Sequence, residues 1–355
     1  MRVAIINDTH FGARSDSQIF IDYFMRFFED VFFPYLRENE IDTVLHLGDL
    51  MDRRKFVNFN TLQQVRSRFM EPLHKEGITV HCILGNHDTY YKNTNNLNSS
   101  EELFGSRYNK FHIYSDPVEI PLGDMCVAMI PWINKENKDD TLKFLKKTKC
   151  QIVAGHFELN GYQVMRGVKM DGGMDDDPLQ KFDMVLSGHF HQKHSKDNVH
   201  YLGTQYQITF SDLGEKKGFH IFDTETRRLE FVPNPDKMFH SMEYDDKQEG
   251  VAVAGLDSPN FYEHLNGSYI KLYVKNKTQP YAFDRFLDKL YESGVESVTI
   301  IEETPMDDVD EDDVIDMAQD TVTLIYNEID DMEDVEDKGK LKKIIRDLYM
   351  ESLSL

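Results

Sequence analysis

The sequence predicts an α/β fold with a layered core, a small appended β-α-β unit and an acidic tail. Three observations predict it. Short apolar runs alternate with longer amphipathic stretches through the first half of the chain, the pattern of strands layered against helices. Around Asp245–Gly250 the apolar pattern breaks and resumes as strand, helix and strand. From Glu302 to Asp337 the chain has many acidic residues and no Lys or Arg, which marks a compositional boundary.

In order, Val3-Ala4-Ile5-Ile6 reads as a buried strand that ends in polar residues. A helix is expected over Gln18–Glu38, a strand over Thr43–Leu47 and a second helix over Asn60–Lys75. Leu62, Val65, Phe69 and Leu73 lie near helical spacing on that second helix, as for packing on a sheet. A third strand covers Ile78–Leu84, and later strands cover Met125–Ile130, Gln151–Ala154 and Met184–Leu186. The appended unit reads as strand Ser268–Val274, helix Tyr281–Ser293 and strand Ser297–Ile301. The domains are therefore expected at 1–245, 246–303 and 304–355, with a linker near Thr304-Pro305-Met306-Asp307.

The 355 residues suit two domains and a smaller third piece. Hydrophobic residues at 40% and aromatics at 12% are ample for a packed core and exclude wholesale disorder. The net charge of −23 means that bulk charge would not hold the protein on nucleic acid. DNA binding would need local basic patches, metal ions or a partner. No apolar run is long enough to span a bilayer, and the first residues turn polar too soon for a signal-peptide core. Cys82, Cys126 and Cys150 stand far apart with no C-x-x-C pair. They are expected to be reduced, small apolar residues of a cytoplasmic protein, neither disulfide-linked nor zinc-binding.

Five polar clusters each follow an apolar strand: Asn7-Asp8-Thr9-His10, Gly48-Asp49, Gly85-Asn86-His87-Asp88, Gly155-His156-Phe157-Glu158 and Gly188-His189-Phe190-His191. Loops beyond the carboxyl ends of strands in an open α/β sheet meet in one crevice. Carboxylate, imidazole and amide without thiolate suit divalent ions such as Mn²⁺, Fe²⁺ or Zn²⁺. The donors are too many for one tetrahedral site. A carboxylate shared between two ions accommodates them, the arrangement of two-metal phosphoester cleavage. Singly, each cluster is an ordinary turn or loop signal; the five together are not.

Asp-x-His, Gly-Asp, Gly-Asn-His-Asp, Gly-His and Gly-His-x-His, in that order, resemble the calcineurin-like metallophosphoesterase superfamily over roughly residues 1–230. Within it, the chain resembles SbcD-type double-strand-break repair nucleases, including those of T4-like bacteriophages. The resemblance implies a layered β-sandwich flanked by helices, a small α+β capping domain for DNA recognition and a helical C-terminal tail. It implies Asp8, His10 and His191 on one ion, Asn86, His156 and His189 on a second, Asp49 bridging, and two divalent cations, Mn²⁺ first. His87 would correspond to the family's acid or phosphate-orienting histidine. One departure matters: relatives carry a histidine three residues after the bridging aspartate, where this chain has Asp52.

Arg53-Arg54-Lys55 could hold flanking phosphates, or be a solvated loop; Tyr90-Tyr91-Lys92 could stack on unpaired bases. In the tail, Val314, Ile315, Met317, Ala318, Val322, Leu324, Ile325 and Ile329 form one apolar set, and Leu341, Ile344, Ile345, Leu348 and Tyr349 another. Both read as amphipathic helices that dock on a partner or fold back on the body. The resemblance points to an SMC-like coiled-coil ATPase as partner, and to a homodimer. The function implied is a metal-dependent DNA exonuclease and endonuclease of a recombination complex. The alternatives are a metallophosphoesterase for a phosphoprotein or small phosphodiester, and a metal-retaining scaffold of a DNA–ATPase assembly.

Overall fold

The apolar runs become strands of two six-stranded sheets. A computed structural model describes residues 1–247 and 262–302, with residues 329, 338–342 and 344–345 of the tail. The first sheet runs Leu229–Pro233, Gly218–Asp223, Arg2–Ile6, Thr43–His46, Thr79–Ile83, Phe111–Tyr114. Its last four strands are parallel, with Ala4 opposite Val44 and Val44 opposite Val80, and Gly218–Asp223 is antiparallel to Arg2–Ile6. The second sheet runs His194–Lys196, Val199–Tyr201, Met184–Ser187, Ile152–Gly155, Met125–Ile130, Val118–Leu122. Met125–Ile130, Ile152–Gly155 and Met184–Ser187 are parallel.

The side-chain alternation of a strand sorts each run into two faces. Val3, Ile5, Leu45, Leu47 and Ile83 of the first sheet share one buried cluster with Val127, Met129, Ile152, Ala154 and Leu186 of the second. That shared cluster makes the pair a sandwich. The opposite faces are also buried, which is why the runs read as continuously apolar. Ala128, Ile130, Val153 and Val185 pack with Leu145, Phe157 and Tyr201 on the outer face of the second sheet.

Both expected helices form. The first is α-helical over Gln18–Phe27 and Phe33–Glu38, joined by a π turn over Phe28–Phe32. The second runs Phe59–Val65, a π turn over Arg66–Met70, then Glu71–Lys75, and starts with Asn58 accepting from Asn60 N at 2.8 Å. Phe24, Phe27 and Phe28 pack around Tyr206, and Phe28 meets Phe69 of the second helix, ring centres 4.7 Å apart. Leu62, Val65, Phe69 and Leu73 are buried within the chain, so they serve its own core.

By contact density, Met1–Tyr206 with Glu215–Pro235 belongs to one unit, and Gln207–Gly214 with the described part of Asp236–Leu324 to a second. The second unit holds the expected β-α-β: strand Tyr269–Asn276, helix Pro280–Glu292 and strand Ser297–Glu302. Phe239–Asp245 joins as a third parallel strand. Phe283, Phe286 and Leu290 of the helix pack on Tyr244, Ile270, Leu272 and Val274.

One expectation is corrected. Cys126 and Cys150 form a disulfide, Cα atoms 5.1 Å apart, while Cys82 is free and buried. Parallel pairing of Val127 with Ile152 brings the two together, a proximity that 24 residues of sequence separation conceals. No helix among the described residues is long and apolar enough to cross a membrane. The linker expected near Thr304 and the first tail helix, apart from buried Ile329, lie outside the described residues. Of the second tail helix, residues 338–342 and 344–345 are helical; Leu348 and Tyr349 lie outside.

Candidate metal centre

Five strand ends supply the site, but not from one open sheet as the sequence suggested. Arg2–Ile6, Thr43–His46 and Thr79–Ile83 of the first sheet lead into Asp8 and His10, Asp49, and Asn86 and His87. Ile152–Gly155 and Met184–Ser187 of the second lead into His156, and His189 and His191. The backbone is bent sharply to present these side chains. Asp8, His10, Asp49 and His189 have φ of 49°, 42°, 55° and 84°, in the left-handed region that costs of order 1–3 kcal/mol per residue. Asp8 N donates to Gly48 O and His10 N to Asp49 O, fixing two of the bends. Gly48 has φ 90°, and a Cβ there would lie 2.6 Å from His156 Nδ1. A Cβ on Gly85 would overlap the Asp49 carboxylate, so both positions require glycine.

All seven expected ligands meet. His10 Nε2 and His191 Nε2 are 3.0 Å apart, with Asp49 Oδ2 at 3.6 Å and Asp8 Oδ1 at 4.0 Å from His10 Nε2. Asn86 Oδ1 lies 3.0 Å from His156 Nε2 and 2.9 Å from His189 Nδ1, and Asp49 Oδ2 lies 3.4 Å from His156 Nε2. One atom of each of Asp8, His10 and His191 falls within a common 4.8 Å, as does one of each of Asp49, His156 and His189. His87 is also within that reach of His10 and Asp49. Its N donates to Asp49 Oδ1 at 2.8 Å, and its Nδ1 lies 2.5 Å from Asp52 O.

Acceptor oxygens stand beside the outer ring nitrogens of three of the four histidines, in a hydrogen bond at His156 and at ion-pair distance at His10 and His189. His156 Nδ1 is 2.7 Å from Leu47 O, which as a carbonyl can only accept. With that proton outward, His156 Nε2 turns a lone pair toward Asn86 Oδ1 and Asp49 Oδ2. His10 Nδ1 lies 3.2 Å from Asp52 Oδ1, so the carboxylate of Asp52 faces the outer side of the His10 ring. His189 Nε2 meets Glu158 Oε2 at 3.4 Å. Carboxylate, amide and imidazole donors thus converge on two points, a set that fits divalent cations, whose binding displaces the imidazole protons.

Burial works against both carboxylates. It prevails at Asp8, which is raised, with the charge of Asp49 adding to it. At Asp49 it is outweighed by His156, His87 and His10, and the carboxyl is held well below its usual range. Burial also opposes charge on His10, yet Asp52, Asp49 and Asp8 bring it up to about 9. His156 likewise reaches about 9 through Asp49 and Asp8. Burial lowers His87, and lowers His191 further with help from His10 and Lys217.

The proposed DNA contacts divide. Arg53 is held by Asp16 at 3.2 Å. Arg54 has Nε and Nη1 buried without a hydrogen bond among the described residues. Lys55 stands 6.0 Å from the ring centre of Tyr90. Tyr90 and Tyr91 are exposed, while Lys92 lines a cavity beside His156. Sequence reading missed four supporting residues. Asp88 takes the backbone N–H groups of Gly85, Asp49, Leu50 and Met51. Asn7 Nδ2 donates to Asp8 Oδ2 at 2.5 Å. His46 pairs with Thr9 Oγ1 at 3.1 Å, and Glu158 faces His189. Asp88, Asn7 and Glu158 stand within the five clusters, which was their signal; His46 gave none.

Residues 1–193 match the calcineurin-like phosphoesterase family. Exonuclease subunit 1 of Enterobacteria phage T4 is 30% identical over 356 residues, 99% of each chain. The SbcD component of the SbcCD nuclease of Staphylococcus saprophyticus is 22% identical over 276 residues, 66% of this chain and 69% of that one. Among solved structures, an archaeal phosphodiesterase overlaps 66% of this chain and 100% of its own, with 16% identity and a TM-score of 0.32.

Proposed function

The chain belongs to the calcineurin-like phosphoesterase family, and from that premise we propose that it is a dinuclear, metal-dependent DNA exonuclease and endonuclease. The position of Asp49 carries the reading. Its Oδ2 lies 3.6 Å from His10 Nε2 and 3.4 Å from His156 Nε2, so one carboxylate is common to two donor sets. Asp8, His10 and His191 would hold one ion with Asp49; Asn86, His156 and His189 would hold the other. Two cations there, Mn²⁺ first, would supply Lewis acidity toward the phosphate and lower the pKa of water.

The chain's own groups do the rest. Asp52, Leu47 O and Glu158 keep the rings of His10, His156 and His189 aimed inward. His87 is fixed through N and Nδ1, with the Nδ1 hydrogen on Asp52 O; in its doubly protonated form Nε2–H would orient the scissile phosphate or give a proton to the leaving 3′ oxygen. Arg54 and Lys55 supply positive charge for flanking phosphates, which positions DNA without reading sequence. The complete donor set disfavours a metal-retaining scaffold that mainly organises a DNA–ATPase assembly. The relatives, components of an exonuclease and of a nuclease, favour DNA over a phosphoprotein. The partner would be an SMC-like coiled-coil ATPase engaged through the tail, in a recombination and break-processing complex.

Labelled linear duplex tests the reading. Cleavage is expected with Mn²⁺ and none in EDTA. Cleavage of a small phosphodiester with no action on DNA under any metal would overturn it.

A further inference from the structure

A cavity of about 400 Å³ opens beside the metal centre, with His156 in its wall, within the ~300–1,000 Å³ range of small-molecule sites. Trp132 forms the wall between the two. Its ring centre lies 5.3 Å from that of His189 and 6.0 Å from that of His156. Its backbone is pinned on both sides. Trp132 N donates to Leu84 O at 2.7 Å, beside the turn that carries Asn86. Trp132 O accepts from Asn95 Nδ2 and Asn137 Nδ2, each at 3.0 Å. Asn95 is buried and takes a further bond from Asn134 Nδ2 at 2.9 Å. These bonds fix the point from which the indole projects, and the rings of His156 and His189 back it.

The charge of the cavity runs against that of the chain. Lys92, Lys135 and Lys138 line it, against the single carboxylate of Glu158, which is turned to His189 Nε2 at 3.4 Å. A flat apolar wall, a cationic rim and a place beside the metal centre together select an anion with an aromatic face. We propose that this cavity is a nucleotide subsite. It takes the base next to the phosphate under attack against Trp132, while Lys92, Lys135 and Lys138 meet the adjoining sugar-phosphate chain. Stacking on an aromatic face accepts every base, so the subsite grips a strand without reading its sequence. The inference rests on the nuclease reading and names how that site holds its substrate.

The chain has one tryptophan and 17 tyrosines, so emission excited at the red edge, beyond tyrosine absorption, reports on this wall alone. The full chain, stripped of metal in EDTA, is titrated with thymidine 5′-monophosphate and, separately, with deoxyribose 5-phosphate. The nucleotide is expected to change Trp132 emission saturably and to bind roughly tenfold more tightly than the base-free phosphate. Lys135→Ala with Lys138→Ala is expected to weaken nucleotide binding roughly fivefold, less so at high salt. Equal affinity for the two phosphates, or no change in emission, would overturn the subsite. Duplex digestion run in parallel separates the two ideas. Base-dependent binding without any DNA cleavage upholds the subsite and defeats the nuclease reading. Cleavage without base-dependent binding defeats the subsite alone.

Discussion

Asp88 belongs to the same turn as Asn86 and His87, but its carboxylate faces backbone. Oδ2 accepts from Asp49 N and Gly85 N, each at 2.8 Å, and Oδ1 from Leu50 N at 3.0 Å and Met51 N at 3.3 Å. It ties the turn that carries Asp49 to the turn that carries Asn86. Asp88→Asn would turn an NH₂ group toward one of those N–H pairs. It is expected to destabilise the protein by about 2–4 kcal/mol, since each orphaned buried donor costs ~1–3 kcal/mol; urea unfolding measures it, and a change under ~0.5 kcal/mol would contradict the clamp. The sequence made the donor types legible, because Asp, His and Asn at successive strand ends are visible as letters. It hid which ring nitrogen faces inward. That is decided by Leu47 O, Asp52 and Glu158, which come together only when distant loops meet. It also hid the disulfide, since nothing in the spacing of Cys126 and Cys150 shows that their segments are neighbours.

Apolar periodicity located both long helices across Pro34 and Pro72, residues that ordinarily break a helix. Each proline lies two residues beyond a π turn, Phe28–Phe32 and Arg66–Met70. Proline has no N–H and its ring crowds the carbonyl four residues back. A turn of wider hydrogen-bond spacing just ahead accommodates it. The strand Gly218–Asp223 gave no such signal, because His220 interrupts its apolar run. In the fold His220 is buried between Arg2–Ile6 and Leu229–Pro233. Burial, then Lys193 and His200, lower its pKa from 6.5 to about 3. The unfolded chain therefore takes up this proton first. The contribution of a neutral His220 is whole above pH 6.5 and is lost as pH falls from there toward 3, on the order of 2 kcal/mol by pH 5. His220→Gln is expected to lose less stability than wild type between pH 7 and pH 5, by about that amount in urea unfolding. An equal loss in both would contradict the assignment.

For the whole molecule, a net charge of −23 sets the problem that DNA binding has to solve. Under the proposed function, local lysines, bound cations and a partner would answer it at three distances. The partner is argued from the tail, and truncation after Thr304 is expected to abolish co-purification with the SMC-like ATPase while leaving metal binding intact. Retained co-purification at full strength would place the docking surface elsewhere. The central claim remains the shared carboxylate. Asp49→Asn keeps the size of the side chain and an acceptor for His87 N, but removes the charge. Counting bound Mn²⁺ by elemental analysis, alongside digestion of linear duplex, tests it most directly. Wild type is expected to hold about two ions per chain and Asp49→Asn one or none, with cleavage slowed roughly a hundredfold or more. Two ions and near-wild-type cleavage in Asp49→Asn would contradict the account.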